Sequence, residues 1–279
     1  MTWPDSLSLV ECTGTKALGE RLARDTASHL QQAVEARGSG CLLVSGGSTP
    51  IPFFRALSDE DIDWAKVSVA LVDERWVTSD HKDSNELLVR ENLLVEKASH
   101  AHFISSVSDM NEIDGIAVDS NDETTTAAKA LPGYAKKMHS LLQAHAGAFD
   151  VTVLGMGNDG HTASLFPASS VSHSGRVLTD HLHIACTKSG ASKSQLSAES
   201  DKDLSASELV TQVQPNCAPH ERLSLSYSGI FKSRMLMLHI VGQQKREVLS
   251  QALELDDHTV FPIAAVFRHA DPVVYWCDD

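Results

Sequence analysis

The chain has 279 residues, 42% of them hydrophobic and 22% charged, with a formal net charge of −14. That composition excludes wholesale disorder, and the length suits one large α/β domain or two small ones with a sizeable core. The acidic balance argues against a nucleic-acid surface, which needs clustered Lys and Arg, and any anionic ligand must be held by a few local cations against a repulsive overall field.

The opening stretch MTWPDSLSLVECTG has neither a basic n-region nor an apolar h-region, and no run of about 18 apolar residues follows it. No membrane partner is expected, and a cytoplasmic location is. The cysteines Cys12, Cys41, Cys186, Cys217 and Cys277 are scattered without a C-x-x-C pair, which fits reduced thiols packed as small buried hydrophobes. Leu18, Leu22, Leu30 and Val34 recur at helical spacing until Gly38 and Gly40 end the segment. CLLVSGGSTP then reads as a short strand running into a glycine turn, with a helix around IPFFRAL. VSVALVDERW reads as a second buried strand and SNELLVRENLL as a helix.

The acidic stretch SSVSDMNEIDGIAVDSNDETTT has few apolar anchors and reads as a surface excursion. A helix around YAKKMHSLLQAHAG leads to the apolar run FDVTVL. From Thr187 to Pro215 the chain is rich in Ser, Ala and charge, and an inserted flap or a hairpin with a short helix is expected at about 187–215. After it come RLSLS, MLMLHIVG, the helix QQKREVLSQALEL, and the closing pieces AAVFRH and VVYWC. Strands alternate with helices nearly throughout, so the expected fold is α/β, a doubly wound, mostly parallel sheet flanked by helices, in a single domain spanning 1–279.

In LGMGNDGHTASLFP, Gly155, Gly157 and Gly160 match the dinucleotide fingerprint G-x-G-x-x-G. The context is wrong for it. Pro167 leaves room for only about two helical turns after Gly160, and the acidic residue expected about 20 positions on, Asp180, precedes an apolar run instead of following a strand. The same turn offers other chemistry: Asp159 and His161 follow a strand, at the edge where open α/β sheets bind ligands. The bland alternative is that Asp159 caps a following helix and His161 is a solvated turn residue.

SGGSTP sets Ser45, Gly46, Gly47, Ser48 and Thr49 between a strand and a helix, where free backbone N–H groups and hydroxyls make an anion cradle. It lacks the G-K-[ST] of a Walker A loop, and Ser48 or Thr49 as a plain N-cap is the alternative. Asp73, Glu74 and Arg75 follow a buried run and should lie at its open end, because unpaired charges are not tolerated inside; surface pairing of Glu74 with Arg75 is the alternative. Arg222, opening RLSLS, and Lys245, at the start of a helix, are candidate phosphate cations, Lys245 being otherwise a solvated helix residue.

Together SGGSTP, VDERWV with SNELLVRENLL, LGMGNDGHTASLFP and the RLSLS…GQQKREVL tail resemble the 6-phosphogluconolactonase family, within the wider glucosamine-6-phosphate isomerase/deaminase-like group. The resemblance implies hydrolysis of 6-phosphoglucono-δ-lactone to 6-phosphogluconate in the oxidative pentose phosphate pathway, with no cofactor and no metal. By position it implies that Gly46, Gly47, Ser48, Arg222 and Lys245 serve the phosphate, that Asp73, Arg75 and Asn85 form the rim, and that Asp159 and His161 carry the chemistry. Two stretches depart from the family pattern: APHERLS stands where a Pro-rich segment is usual, and the Thr187 to Pro215 segment is longer.

Lactone opening needs water attack on a carbonyl, an oxyanion site and a proton for the leaving ring oxygen. His161 suits the proton transfers, with Asp159 orienting it and the glycine turn, Gly157 included, or Arg75 holding the oxyanion. Asp73 joins them as a third catalytic candidate and Ser45 and Thr49 as further binding ones. No G-x-S-x-G nucleophile elbow occurs. One rival is an amino-sugar phosphate isomerase or deaminase using Asp73 as base, although DERWV resembles the lactonase form more than the DEY form expected there. Another is a non-catalytic sugar-phosphate sensor, for which no basic helix-turn-helix is present. His181 and His183 lie two apart but lack a third metal ligand nearby. The expected partner is a small-molecule sugar-phosphate lactone, and the expected state a monomer or small homo-oligomer.

Overall fold

The computed structural model describes residues 3, 7–107, 126–170 and 205–279. In chain order the elements are β1 (Leu9–Glu11), α1 (Thr15–Arg37), β2 (Gly40–Val44), α2 (Ile51–Ser58), β3 (Val67–Leu71), β4 (Asp73–Arg75), α3 (Asn85–Asn92), β5 (His102–Ile104), α4 (Thr126–Ala144) and β6 (Phe149–Leu154). They continue with α5 (Ala206–Leu209), β7 (Val210–Val213), β8 (Arg222–Leu225), α6 (Tyr227–Ile230), β9 (Ser233–Val241), α7 (Gln243–Leu255), α8 (Ile263–His269) and β10 (Val273–Cys277).

Seven strands form one sheet in the order β1-β10-β9-β6-β2-β3-β5, every pairing parallel. Parallel strands need helices on both faces, and their side chains alternate between two buried layers. Leu42, Val44, Val69, Leu71, Val151 and Val153 pack on one face with Leu18, Leu22 and Leu30 of α1, Phe53 and Phe54 of α2 and Val89 of α3. Cys41, Leu43, Ala70 and Leu154 pack on the other with Tyr134 and Met138 of α4, Leu249 of α7 and Ile263 of α8. The doubly wound expectation therefore holds. The closing AAVFRH lies in a helix, and none of the described helices is long and apolar enough to cross a membrane.

VSVALVDERW is two strands, not one. Val72 ends the main-sheet pairing by donating its N–H to Val44 O at 3.0 Å and accepts from Leu225 N at 2.7 Å, which turns the chain into a second sheet, antiparallel, of order β4-β8-β7. RLSLS belongs there too, with Arg75 opposite Arg222 in register. Of the expected insertion, Ser205 to Pro215 holds α5 and β7; 187–204 lies outside the described residues, as do 108–125 of the acidic excursion, Cys186, His181 and His183. Cys41 and Cys277 are buried, but Cys12 is only half-buried and Cys217 is exposed. The expectation of five buried thiols fails where APHERLS carries its neighbour into a surface loop.

One buried ionic cluster braces the sheet away from the loops. Asp150, 4% exposed, accepts from the Cys41 amide at 2.9 Å, from Arg37 Nη2 at 2.5 Å and from Arg234 Nη1 at 3.2 Å. Asp150→Ala leaves that amide unpaired and two guanidinium groups facing a cavity. A loss of about 2–4 kcal/mol is expected, read as a lower denaturant midpoint; an unchanged midpoint would show that solvent replaces the carboxylate at no cost.

Candidate active site

Sheet order reverses between β2 and β6, which lie side by side although 109 residues separate Cys41 from Asp150. Chains leave such a switch point in opposite directions, opening a crevice at the carboxyl ends of the strands. SGGSTP follows β2 and GMGNDGH follows β6, so both glycine loops flank the same crevice. Ser45 ties them together: its Oγ donates to Val153 O at 3.2 Å and accepts from Gly155 N at 3.0 Å. The hydroxyl expected to hold an anion is thus occupied in joining two strand ends.

A cavity of about 280 Å³ opens there, and Ser45, Gly46, Gly47, Ser48, Thr49, Asp73, Arg75, Asn85, Gly157, His161 and Lys245 all line it. Among the described residues, the amides of Gly46, Gly47, Ser48 and Thr49 donate to no backbone carbonyl, leaving a run of donors at the wall. No side chain caps α2, whose N-cap position is Pro50, so the plain N-cap reading of Ser48 or Thr49 fails. Gly46 is required by close approach: a Cβ there would lie 1.9 Å from Asn85 Oδ1. Asn85 is itself pinned by donating Nδ2 to Asp73 O at 2.9 Å.

Asp73 and Glu74 are buried, at 8% and 1% exposure, against the expectation that the charged triplet lies at an open end. Donors explain the burial. Ser164 Oγ donates to Asp73 Oδ2 at 2.6 Å. Glu74 accepts from the amides of Arg75, Asn85 and Glu86 and from Ser84 Oγ, all at 2.7–3.1 Å, so it caps α3 from a neighbouring strand instead of pairing with Arg75 at the surface. Burial pushes its carboxyl up to about 7 against the pull of those amides. The Arg75 guanidinium is braced by donating Nη1 to Asp83 O at 2.6 Å.

After β6, residues 161–170 hold no α-helix; an isolated bridge joins Thr162 to Leu165. Both the dinucleotide reading and a helix-capping role for Asp159 lose their helix. Instead Asp159 Oδ1 lies 2.5 Å from His161 Nδ1 and accepts from the His161 amide at 3.1 Å. Burial works to raise the Asp159 carboxyl, but the bonds and charge of His161 outweigh it and hold Asp159 below the usual carboxylate range. An ionised Asp159 is an acceptor for Nδ1–H, the tautomer in which the neutral ring keeps Nε2 as its acceptor. Phe166 backs the imidazole with ring centroids 4.5 Å apart.

The glycine turn itself has no spare donors at its glycines. Gly155 N donates to Ser45 Oγ, Gly157 N to His161 O and Gly160 N to Gly157 O, so those three amides are not an oxyanion hole; Arg75 and the Met156 amide, which among the described residues donates to no backbone carbonyl, both line the cavity. Lys245 is half-buried and donates Nζ to Met156 O at 2.5 Å, which corrects the solvated reading; burial lowers its ammonium and Asp159 opposes that shift. Arg222 does not line the cavity. It is buried beside Arg75 on the neighbouring strand, its Nε and Nη1 without a hydrogen-bond partner, and burial followed by the charge of Arg75 lowers its guanidinium below the usual value.

His239 also lines the cavity, a place the sequence does not signal, because one His inside MLMLHIVG reads as core. Its ring meets Phe53 edge-on at 6.2 Å, and burial drives it down from 6.5 to about 4. The unfolded chain therefore binds a proton between pH 6.5 and 4 that the folded one refuses, so this residue's stabilisation is present above that window and is lost as pH falls through it, by about 3 kcal/mol in all. His239→Gln should flatten the midpoint-against-pH curve between those limits; an unchanged slope would assign the acid loss elsewhere.

The sequence as a whole matches the family model described as glucosamine-6-phosphate isomerases/6-phosphogluconolactonase over residues 14–197 and 193–276. It is 33% identical over 274 residues to the 6-phosphogluconolactonase of Pseudomonas putida, covering 98% of this chain and 94% of that one. With the 6-phosphogluconolactonase of Rhizobium meliloti (strain 1021) it shares 35% over 262 residues, 93% of this chain and 94% of that one. The crystal structure of a 6-phosphogluconolactonase from Shewanella baltica superposes with a TM-score of 0.75 at 37% identity, covering 97% of each chain. The match to the family model over nearly the whole chain and the likeness to relatives in both sequence and structure place the chain in the glucosamine-6-phosphate isomerase/6-phosphogluconolactonase family.

Proposed function

We propose that this protein hydrolyses 6-phosphoglucono-δ-lactone to 6-phosphogluconate. The observation that carries the reading is His161 on the wall of a cavity, its Nδ1 2.5 Å from Asp159 Oδ1, where four amides without a backbone acceptor among the described residues and the cations Arg75 and Lys245 also stand. The amides of Gly46, Gly47, Ser48 and Thr49, with Lys245, take the phosphate, and Arg222, which does not line the cavity, adds its positive charge from the neighbouring strand without touching substrate. Nε2 of His161 takes a proton from water as its oxygen bonds to the lactone carbonyl carbon. Arg75 faces the oxyanion that forms. Collapse breaks the bond to the ring oxygen, which receives the proton back from Nε2, so water is consumed and one carboxyl group released. Asp73, held through Oδ2, offers its other oxygen to a sugar hydroxyl.

The full-length family likeness supports the same reaction, and the acidic surface supports a small-molecule partner over nucleic acid. We place the chain in the cytoplasm as a single domain, a monomer or small homo-oligomer, requiring no cofactor for the reaction. The test is hydrolysis of 6-phosphogluconolactone generated in situ from glucose 6-phosphate, measured above the spontaneous rate and compared with unphosphorylated gluconolactone. A kcat/KM at least about a hundredfold higher for the phosphorylated substrate is expected from charge-assisted bonds. Equal rates would remove the phosphate cradle, and no acceleration would remove the lactonase reading.

A further inference from the structure

Outside the cavity, the loop of residues 76–84 between β4 and α3 meets the loop entering β8. His81 and Asp83 come from the first and His220 from the second. One nitrogen of each ring and one carboxylate oxygen of Asp83 all lie within 4.8 Å of one another. His220 Nε2 is 3.1 Å from Asp83 Oδ2 and His81 Nδ1 is 3.8 Å from the same oxygen, while the two rings meet edge to face with centroids 5.4 Å apart. All three side chains are about one-third exposed, so an ion can enter from solvent.

We propose that His81, Asp83 and His220 form a binding site for a divalent transition cation of the zinc class. Two imidazole nitrogens and a carboxylate oxygen are the donor set such ions prefer, and three protein ligands leave a fourth position for water. Zinc bonds of about 2.0–2.2 Å put neighbouring tetrahedral ligands about 3.3 Å apart. The His220–Asp83 separation already meets that spacing, and the remaining contraction falls on half-exposed side chains. The Asp83 amide now donates to His81 Nδ1 at 3.1 Å; a cation on that nitrogen releases the amide to water. Lys82 and the guanidinium of Arg222 face Asp83 with like charge to the ion and moderate its affinity. Because Asp83 O holds Arg75 Nη1, an ion there ties the loop bracing the cavity's Arg75 to the loop entering β8.

The full chain, stripped of metal, is titrated with Zn²⁺ by calorimetry and with Co²⁺ by visible absorption. Saturable one-to-one binding is expected, with a cobalt spectrum free of thiolate charge transfer. His220 sits at φ +69°, a backbone region that Asn tolerates, so His220→Asn removes a ligand without straining the loop. Its loss should exceed the roughly 10-fold to 100-fold that removal of a mere outer partner costs a metal site, and His81→Asn should do the same. Cys217, exposed three residues before His220, is the competing ligand, and Cys217→Ser should leave affinity unchanged. Absent saturation in the unsubstituted chain, affinity unmoved by both His variants, or a thiolate band lost in Cys217→Ser would each overturn the site.

Discussion

His161→Ala is expected to lower kcat for 6-phosphogluconolactone by about 10²–10⁴, the usual contribution of a positioned general acid–base group, with the melting midpoint nearly unchanged. The two halves of that expectation rest on different observations. The side chain is 31% exposed and its polar ring contact is to Asp159, itself 38% exposed, so little buried structure depends on it. The chemistry depends on it fully: Asp159 fixes Nδ1–H, and among the residues on the cavity wall His161 is the one whose free ring nitrogen is set by an ionised partner. His239, the other imidazole there, is held neutral in an apolar setting against Phe53 and has no such partner to stabilise an imidazolium. Steady-state kinetics above the spontaneous rate, with a melt of the same preparation, separate the outcomes. Retained turnover in a folded His161→Ala chain would move the base elsewhere, Asp73 being the carboxylate on the same wall.

What local pattern carries and what it does not divides cleanly along the chain. Apolar alternation and helical spacing announce β2, β6, β9, α1, α3 and α7 because both faces of a parallel sheet are buried and each helix must show one apolar stripe to it. SGGSTP and GMGNDGH are legible as ligand loops because glycine clusters directly after such strands have few other uses. Their adjacency is not legible: it follows from β2 pairing with β6 across more than a hundred residues, and sheet order is a long-range property. The break at Val72 is hidden for a related reason, since an apolar residue continues the pattern while its amide and carbonyl turn to partners on different strands. Burial of Asp73 and Glu74 also escapes composition, because the α3 amides of Asn85 and Glu86 and the hydroxyls of Ser84 and Ser164 that make it tolerable lie ten to ninety-one residues away. Arg222 shows the converse. Its place at a strand start suggests a rim cation, yet antiparallel register puts it opposite Arg75, buried and away from the cavity wall.

Gly157→Ala should abolish most activity without altering any group that performs chemistry. A Cβ at Gly157 would lie 2.1 Å from His161 Nδ1 and 2.5 Å from Asp159 Oδ1, inside the contact distance of both, so the pair must separate or swing away. The backbone is not what requires glycine here, since Gly157 is absent from the left-handed positions that Gly47 and Gly160 occupy; the requirement is space for the imidazole. A misplacement of about 1 Å in a catalytic group costs on the order of 10²-fold, and the added methyl also crowds the oxygen that sets the tautomer. The expected signature is a kcat lowered at least about a hundredfold, KM changed far less because the phosphate cradle lies on the other loop, and a melting midpoint close to that of the unsubstituted protein. If Gly157→Ala instead turned over normally, the His161 ring would have to work from a position clear of Asp159, and the pairing at 2.5 Å would not be the arrangement that catalyses.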